Sequence, residues 1–448
     1  MWVHFIAIGG SVMHQLAICL KNKGYKITGS DDEIFEPAAN NLKSANILPE
    51  ENGWFPEKIN KNIDAVILGM HARIDNPELI KAKELGLKIY SFPEYIYSQS
   101  LSKIRVAIAG SHGKTTTTAM VMHVLKEQKK SFDYLVGARL EGFKQSVSLT
   151  DAPVIVCEAD EYPASSLEPR PKFHFLFPHI AVITGIAWDH VNVFPTFEFY
   201  LEQFIIFINK IEPKGTLIYN ETDGQLVKLI QENKRHDLKY IPYNLPKFEI
   251  ENGISTIDQD KLKYPVSVFG IHNLLNLQAA RLVCEQLDIS ATSFLKAIGG
   301  FKGAAKRLEL IHSNAKMNVY RDFAHAPSKV EASVKAVKDQ FPQRKLIAIL
   351  ELHTYSSLTG NFLKQYKSTL DSADEAIVFY SRHALEIKKL PMLEPEDVEN
   401  GFKKKGLRVV TEKSELERII RSINKENVNF LFMSSGDYGG LPILSILK

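Results

Sequence analysis

Cysteine is scarce in this 448-residue chain, which contains only Cys19, Cys157 and Cys284. An odd number of cysteines without paired spacing fits neither a disulfide framework nor a zinc site, so we expect a reducing, cytoplasmic setting. An excess of one charge is also lacking, because 55 Lys and Arg residues against 52 Asp and Glu residues leave a net charge of +3. This balance argues against nucleic acid or a membrane surface as a partner. No run of about 18 apolar residues occurs, so no segment is predicted to span a bilayer.

Short β-branched or apolar runs alternate with stretches of helical spacing, a pattern typical of parallel sheets covered by crossover helices. The predicted fold class is therefore α/β. Polar residues at 98–103 and a glycine-rich stretch at 299–303 interrupt the pattern, so we predict three domains, at residues 1–101, 102–302 and 303–448. The main strands are predicted at 3–8, 25–29, 64–68, 88–90, 104–109, 154–157, 181–184, 216–219, 318–320, 345–350, 375–379 and 429–433.

The strongest local motif is AGSHGKTTTT, residues 109–118, where a predicted strand ends and a helix begins. Free backbone N–H groups and the positive end of the helix converge there on an anion, and Lys114 adds a charge for the β- and γ-phosphates of a nucleotide. Thr115 carries the hydroxyl that usually binds magnesium in such loops. Only Ser111 and His112 separate Gly110 from the Gly-Lys pair, fewer than the general phosphate-loop pattern has. A helix cap without a ligand is the alternative interpretation.

A weaker glycine turn, Gly9-Gly10-Ser11, follows the first predicted strand. Ser30 and Asp31 follow the second strand, where dinucleotide-binding folds place an acid that binds ribose. The third glycine of the dinucleotide pattern is missing, so bound NAD is not favoured. Two alternatives from other functional classes are a nicotinamide-dependent oxidoreductase with a regulatory nucleotide site and a phosphate-loop ATPase that acts as an assembly module.

Charged side chains follow two further predicted strands. Glu158, Asp160 and Glu161 come after the strand at 154–157, and Asp189 and His190 after the next one. Open α/β sheets bind ligands at the carboxyl ends of their strands, and acids beside a phosphate loop usually hold magnesium. Each cluster alone also fits a helix cap or a solvated loop. Their repetition at successive strand ends favours a site.

The last third of the chain adds polar residues in similar positions. Asn273 opens a predicted helix, and Arg307 follows the glycine-rich stretch. A guanidinium matches phosphate oxygens in a planar fork, so Arg307 is a candidate contact for a γ-phosphate. Asp322 and His325, in RDFAHAPSKV, follow a predicted strand in a layout suited to ribose and phosphate.

The ordered set GSHGKTTTT, EADE, DH, GIHNLLN, KRLE and DFAHAP resembles the muramyl ligase (Mur ligase) family of bacterial cell-wall synthesis, over nearly the whole chain. The resemblance implies a Rossmann-like UDP-binding domain, a central phosphate-loop ATPase domain and a Rossmann-like C-terminal domain that binds an amino acid or peptide. It implies an ATP- and Mg²⁺-dependent amide ligase that forms ADP and phosphate through an acyl phosphate. The implied acyl donor is UDP-N-acetylmuramic acid, and a monomer is assumed.

The resemblance also implies roles for individual residues. The implied ATP-binding residues are Gly110, Ser111, His112, Gly113, Lys114, Thr115, Thr116, Asn273, Arg307, Asp322 and His325. The implied catalytic residues are Lys114, Glu158, His190 and Arg307, and the implied metal ligands are Thr115, Glu158 and His190. The implied UDP-sugar contacts are Gly9, Gly10, Ser11, Ser30 and Asp31. One departure from the family pattern is Ala7, which stands in place of its first turn glycine.

Two branches of the family use this acyl donor. One adds L-alanine in de novo peptidoglycan synthesis, and the other adds the tripeptide L-Ala-γ-D-Glu-meso-diaminopimelate in peptidoglycan recycling. The segments EADEYPASSLEPRPKF and FMSSGDYGG resemble the recycling branch more closely. We therefore predict tripeptide ligation, with L-alanine ligation as the alternative.

Overall fold

The computed structural model describes residues 1–137, 140, 142, 143, 145–165, 167–188 and 193–447. The chain divides into two compact units, Met1–Asn244 with Leu275–Ile298, and Leu245–Leu274 with Gly299–Lys448. Both units are built on parallel sheets with covering helices, which confirms the predicted α/β class. The predicted domain boundaries at residues 101 and 302 stay predictions.

The first unit begins with a four-stranded parallel sheet in the order β2-β1-β3-β4. Its strands are β1 (Trp2–Ile6), β2 (Lys26–Ser30), β3 (Ala65–Leu68) and β4 (Ile89–Ser91). Its helices are α1 (Ser11–Asn22), α2 (Ala38–Ser44), α3 (Pro77–Glu84) and α4 (Phe92–Ser98). Strand β1 ends two residues before the predicted end, because Ala7 takes a φ of +64° and turns the chain towards the glycines.

A second, seven-stranded sheet follows in the same unit, in the order β11-β10-β9-β5-β8-β6-β7, and only β7 runs antiparallel to its neighbour. Its strands are β5 (Ile104–Ala109), β6 (Asp133–Leu135), β7 (Val147–Ser148), β8 (Val154–Glu158), β9 (Ile180–Ile183), β10 (Thr216–Asn220) and β11 (Lys239–Tyr243). The helices around it are α5 (Lys114–Glu127), α6 (Phe197–Asn209), α7 (Gly224–Glu232), α8 (Ile271–Gln286) and α9 (Ala291–Ile298), of which α8 begins in the second unit. One apolar core runs from the first sheet into the second, and α1 packs against β7.

The second unit contains a small antiparallel sheet that the sequence pattern did not predict. Its strands are β12 (Phe248–Glu251), β13 (Ile254–Gln259) and β14 (Leu262–Val266). Strands β12 and β14 alternate apolar and polar residues and contain no continuous apolar run, and Pro265 lies within β14, so they lack the pattern of a strand buried on both faces.

The main sheet of the second unit has the order β15-β16-β20-β17-β18-β19 and is parallel except for β15. Its strands are β15 (Glu309–Ser313), β16 (Met317–Asp322), β17 (Lys345–Glu351), β18 (Glu375–Phe379), β19 (Arg408–Val410) and β20 (Val428–Met433). The helices are α10 (Pro327–Gln340), α11 (Gly360–Leu363), α12 (Arg382–Ile387), α13 (Pro395–Phe402), α14 (Lys413–Ser422) and α15 (Ile443–Leu447). The central strands β17 and β20 are buried almost throughout, which is typical of a parallel sheet covered on both faces.

Four short 3-10 helices complete the described elements, at Pro56–Lys58, Lys172–Phe175, Ser356–Leu358 and Lys364–Tyr366. Among the described residues, no helix combines the length and the apolar character needed to cross a membrane.

Candidate active site

The loop between β5 and α5 depends on two glycines. Gly110 has a φ of +125°, and a Cβ there would lie 2.2 Å from Thr184 Oγ1 and 2.8 Å from the Thr184 nitrogen. Gly113 has a φ of +83°, and a Cβ there would lie 2.2 Å from Asn276 Oδ1. The Thr184 hydroxyl donates to the carbonyl oxygens of Ala109 and His112, so the end of β9 braces the loop. This close approach leaves no room for a side chain at either glycine.

Lys114, the first residue of α5, turns back over this loop. Its ammonium donates to the Gly110 carbonyl oxygen at 2.7 Å and to both carboxylate oxygens of Glu161, at 2.7 and 3.0 Å. Burial works to lower the pKa of Lys114, but the carboxylates of Glu161, Asp160 and Glu158 outweigh it and raise that pKa above its ordinary value. The lysine is therefore a fixed positive charge at the start of the helix.

Thr115 and Glu158 come together beside Lys114, and the Thr115 hydroxyl donates to Glu158 Oε1 at 2.7 Å. The other carboxylate oxygen of Glu158 accepts from the Gly137 N–H at 2.9 Å. A hydroxyl and a carboxylate are hard oxygen donors of the kind that Mg²⁺ prefers, and Mg²⁺ completes its shell with waters and substrate phosphates. The pair therefore fits magnesium, and Ser111 and Thr116 lie buried in the same loop and helix.

The third predicted metal ligand, His190, lies outside the described residues, as does Asp189. Within the part of the chain that is described, no group of three or more His, Cys, Asp or Glu side chains is placed to hold a metal ion. Thr115 and Glu158 are thus the two predicted ligands that the structure brings together.

The first sheet presents a second turn, between β1 and α1, that is closed by Asp31. The Gly9 N–H donates to Asp31 Oδ2 at 2.7 Å, and a Cβ on Gly9 would lie 2.9 Å from that oxygen. Burial raises the pKa of Asp31 to about 6, the Gly9 N–H opposes the shift, and Asp32 adds to it. Ala7 holds a left-handed conformation that favours glycine, in agreement with the glycine that the family pattern places there.

Ser30 supports the same turn from inside the sheet. It is fully buried, and its carbonyl oxygen accepts hydrogen bonds from the N–H groups of Ala7 and Ile8, at 2.9 and 3.1 Å. Gly10 and Ser11 form the more open side of the turn.

A buried pair also lies in the first sheet, where His4 Nε2 is 3.2 Å from Glu78 Oε2. Burial works to raise the pKa of Glu78, yet the neighbouring His4 and the hydrogen bond from the Phe55 N–H hold it below its ordinary value.

In the second unit, Asp322 ends β16 and lies near the start of α8. The Ser333 hydroxyl of α10 donates to Asp322 Oδ2. Burial lowers the pKa of His272, and the negative charge of Asp322 partly opposes the shift. The neighbouring Asn273 is buried, and its amide donates to the Phe269 carbonyl oxygen at 3.0 Å. These polar groups lie at the carboxyl end of a parallel strand, where such sheets bind ligands.

Arg307 and His325 meet at Phe323, just after the same strand. The Arg307 guanidinium lies 5.0 Å from the Phe323 ring centre, and the His325 ring packs edge-on against Phe323 at 5.2 Å. His325 Nδ1 is 2.9 Å from the Phe323 carbonyl oxygen, and the Tyr366 hydroxyl donates to the His325 carbonyl oxygen. Stacking on an aromatic ring gives the guanidinium a defined plane, which suits recognition of an anion.

Three family models match successive parts of the chain: the Mur ligase family catalytic domain at residues 2–100, the Mur ligase middle domain at 108–284 and the Mur ligase glutamate ligase domain at 306–436. The UDP-N-acetylmuramate–L-alanine ligase of Sulfurihydrogenibium sp. (strain YO3AOP1) is 32% identical over 394 residues, which cover 84% of this chain and 82% of that protein. The chain belongs to the Mur ligase family. The predicted family and its three-domain architecture are therefore confirmed, and this Mur ligase is an ATP-dependent amide ligase.

Solved Mur ligases share the fold. The UDP-N-acetylmuramate–alanine ligase of Thermotoga maritima has a TM-score of 0.69 and 23% identity, covering 100% of this chain and 97% of that one. The murein peptide ligase of Psychrobacter arcticus has a TM-score of 0.63 and 22% identity, covering 100% of this chain and 98% of that one. At this identity the fold is common to both branches and does not separate them.

The predicted recycling branch is wrong. Curated relatives that are 27% to 32% identical over 84% to 97% of this chain are named UDP-N-acetylmuramate–L-alanine ligases. The two segments on which the tripeptide prediction was based contain residues that stabilise the fold. In the first, Phe173 packs in the core. In the second, the Ser434 hydroxyl and the Tyr438 N–H both donate to Glu351. Sequence similarity to the recycling branch in these two segments therefore reflects local packing and does not indicate which amine is bound.

Sequence reasoning did not assign two residues that shape this Mur ligase site. Glu161 was grouped with the magnesium-binding acids, whereas both of its oxygens contact Lys114. Thr184, which braces the phosphate loop, had no signal beyond its position at a strand end. The EADE motif was the available signal for Glu161, but its pairing with a lysine 47 positions away depends on the fold.

Proposed function

We propose that this Mur ligase is a UDP-N-acetylmuramate–L-alanine ligase, which joins the lactyl carboxylate of UDP-N-acetylmuramic acid to L-alanine while ATP becomes ADP and phosphate. The observation that carries the proposal is the name shared by relatives with up to 32% identity over 84% of the chain. The reaction belongs to peptidoglycan biosynthesis. UDP-N-acetylmuramic acid and L-alanine are the proposed partners, and ATP and Mg²⁺ are the proposed ligands of the nucleotide site.

The described residues around β5 supply what carboxylate activation needs. An acyl phosphate forms only if a carboxylate meets the γ-phosphate, so two anions must be brought together and partly neutralised. Lys114 offers a buried ammonium, and the Gly110–Gly113 loop offers backbone N–H groups at a helix start. Thr115 and Glu158, joined by a 2.7 Å hydrogen bond, would hold Mg²⁺, which supplies further positive charge for the phosphates.

The other predicted contacts keep their roles within this proposal. The turn closed by Gly9 and Asp31 lies at the carboxyl end of β1 and β2, where a nucleotide diphosphate can be bound by backbone groups. Asn273, Arg307, Asp322 and His325 are proposed contacts for adenine, γ-phosphate and ribose, and His190 is a proposed metal ligand.

The deciding experiment measures phosphate release from ATP and Mg²⁺ with UDP-N-acetylmuramic acid and one amine at a time. L-alanine, L-serine, glycine and the L-Ala-γ-D-Glu-meso-diaminopimelate tripeptide are compared, and the product is identified by mass spectrometry. Turnover with L-alanine at the highest kcat/KM supports the proposal. Turnover with the tripeptide alone, or no turnover with this donor, contradicts it.

A further inference from the structure

Lys172 lies where the ligand-binding edges of the two sheets of the first unit come together. Its ammonium is 5.9 Å from the ring centre of Phe92, the first residue after β4, and 5.9 Å from that of Tyr162. It donates to Asp160 Oδ2 at 2.6 Å, and Asp160 follows β8 by two residues. The 3-10 helix that Lys172 opens packs against α4. This ammonium therefore contacts groups that follow strands of both sheets.

The ion pair between Lys172 and Asp160 is not needed to close the segment that contains it. Backbone bonds do so already: the Lys172 N–H donates to the Tyr162 carbonyl oxygen at 2.9 Å, and the Ala164 N–H donates to the Arg170 carbonyl oxygen at 2.9 Å. The Phe173 N–H also donates to the Asp160 carbonyl oxygen, at 3.1 Å. A partly exposed ion pair adds little stability to a segment that is held in this way.

The chemistry of the proposed reaction needs a cation beside the donor carboxylate. Parallel sheets bind ligands at the carboxyl ends of their strands, so the acyl donor approaches from the first sheet and the nucleotide from the second. Lys114 lies in the nucleotide loop and is already matched to phosphate. The donor carboxylate needs its own positive partner if it is to come close to the γ-phosphate. An ammonium has three N–H donors, so Lys172 can bind a second anion while it keeps Asp160.

We propose that Lys172 binds the carboxylate of the acyl donor and holds it at the junction of the two sheets, facing the nucleotide site. This inference rests on the proposed function, because it assumes a UDP-sugar donor that carries a carboxylate. Asp160 holds the lysine in place through their hydrogen bond before the donor arrives. No bond is made or broken at Lys172, which acts as a binding residue for the reacting group.

The test compares two ligands that differ in the carboxylate. UDP-N-acetylmuramic acid carries the lactyl group and UDP-N-acetylglucosamine lacks it, and the affinity of each is measured by calorimetry. Lys172→Met is expected to weaken binding of the first ligand about 10- to 100-fold, the range for one lost hydrogen bond to a charged group, and to leave binding of the second within about twofold. Affinity for a non-hydrolysable ATP analogue is expected to stay unchanged.

Three further variants separate binding from structural support. Lys172→Arg keeps the charge and is expected to recover most of the lost affinity. Asp160→Asn keeps an oxygen that accepts the lysine hydrogen bond but removes the competing negative charge, so donor binding is expected to be retained or tightened. If the ion pair served only the fold, this variant would weaken donor binding as Lys172→Met does. Arg170→Met is the matched control, because Arg170 is a cation in the same segment whose side chain is 57% exposed and pairs with Glu168. It is expected to bind both ligands as the wild type does.

Equal weakening of both UDP-sugars in Lys172→Met would overturn the carboxylate assignment, since the lysine would then be serving the nucleotide part or the fold. Unchanged binding of UDP-N-acetylmuramic acid in that variant would overturn the inference alone. Failure of the wild type to bind UDP-N-acetylmuramic acid would overturn the proposed function and this inference with it.

Discussion

Lys114 and Glu161 form a buried ion pair in which one ammonium contacts both oxygens of one carboxylate, at 2.7 and 3.0 Å. The Lys114 side chain is 12% exposed and the Glu161 side chain is fully buried. Neither charge can be removed alone without leaving the other one poorly solvated. The pair thus links nucleotide binding at the phosphate loop to the stability of the sheet beneath it.

Lys114→Met is expected to have two separable effects. Nucleotide affinity falls about 10- to 100-fold because a hydrogen bond to a charged phosphate is lost. The free energy of unfolding falls by about 3 kcal/mol because the buried Glu161 carboxylate loses the ammonium that balances its charge. Calorimetry with an ATP analogue and urea unfolding measure the two quantities.

The double variant Lys114→Met with Glu161→Gln is the control for this pair. Its stability is expected to recover most of the loss, because the buried negative charge is removed together with the ammonium, while nucleotide affinity stays low. Recovery of nucleotide binding in the double variant would show that Lys114 does not contact phosphate.

Glu158→Gln is expected to raise the Mg²⁺ concentration needed for nucleotide binding by roughly tenfold or more, since even residues behind the metal ligands commonly change metal affinity by about 10- to 100-fold. Glutamine can still accept the Thr115 hydrogen bond through its one amide oxygen and loses the bond from the Gly137 N–H. The measurement is a metal titration of nucleotide binding, followed with Mn²⁺ by electron paramagnetic resonance. Asp151→Asn, at a fully exposed carboxylate, is the matched control. An unchanged titration in Glu158→Gln would remove this residue from the metal site.

The raised pKa of Asp31 predicts that the stability of the first sheet depends on pH. Its folded-state pKa of about 6 lies above the ordinary value of 3.8, so the folded protein binds this proton more tightly than the unfolded chain does. The resulting stabilisation is complete below about pH 4 and is lost as the pH rises towards 6. Two pKa units correspond to roughly 3 kcal/mol.

Asp31→Asn is therefore expected to raise stability at pH 8 and to flatten its dependence between pH 4 and pH 6.5. Hydrogen exchange of the β1 and β2 amides measures the effect locally. Asp75→Asn, whose side chain is 69% exposed in the same sheet region, is the control that should keep the wild-type profile. The same pH slope in Asp31→Asn as in the wild type would refute the assignment.

Ala7→Gly is expected to change the free energy of unfolding by less than about 0.5 kcal/mol. A left-handed alanine costs roughly 1 to 2 kcal/mol, and relief of that strain offsets the entropy of glycine and the lost methyl burial. Ala65→Gly is the matched control, because Ala65 is equally buried but lies in the regular strand β3. It is expected to lose about 1.5 kcal/mol in urea unfolding. An equal loss of unfolding free energy in the two variants would contradict the inference that the backbone of Ala7 is strained.

Periodicity predicted the buried strands well where both faces are covered. Strands β5 and β18 have the predicted bounds, because a largely apolar run that is followed by turn residues shows where the strand ends. The sheet β12-β13-β14 was missed because much of it is exposed and none of its strands contains a continuous apolar run. At Ala7, comparison with the family pattern predicted a glycine, but only the positive φ of the backbone explains why the family has glycine at this position.

The sequence by itself determined the α/β class, the phosphate loop and the family, because those depend on local spacing and on motifs read in order. Only the tertiary structure decided that Glu161 pairs with Lys114, that Thr184 braces the loop and that Lys172 reaches Asp160 and Phe92. Such contacts join residues far apart in the chain, and their distances are set by how strands stack in a sheet.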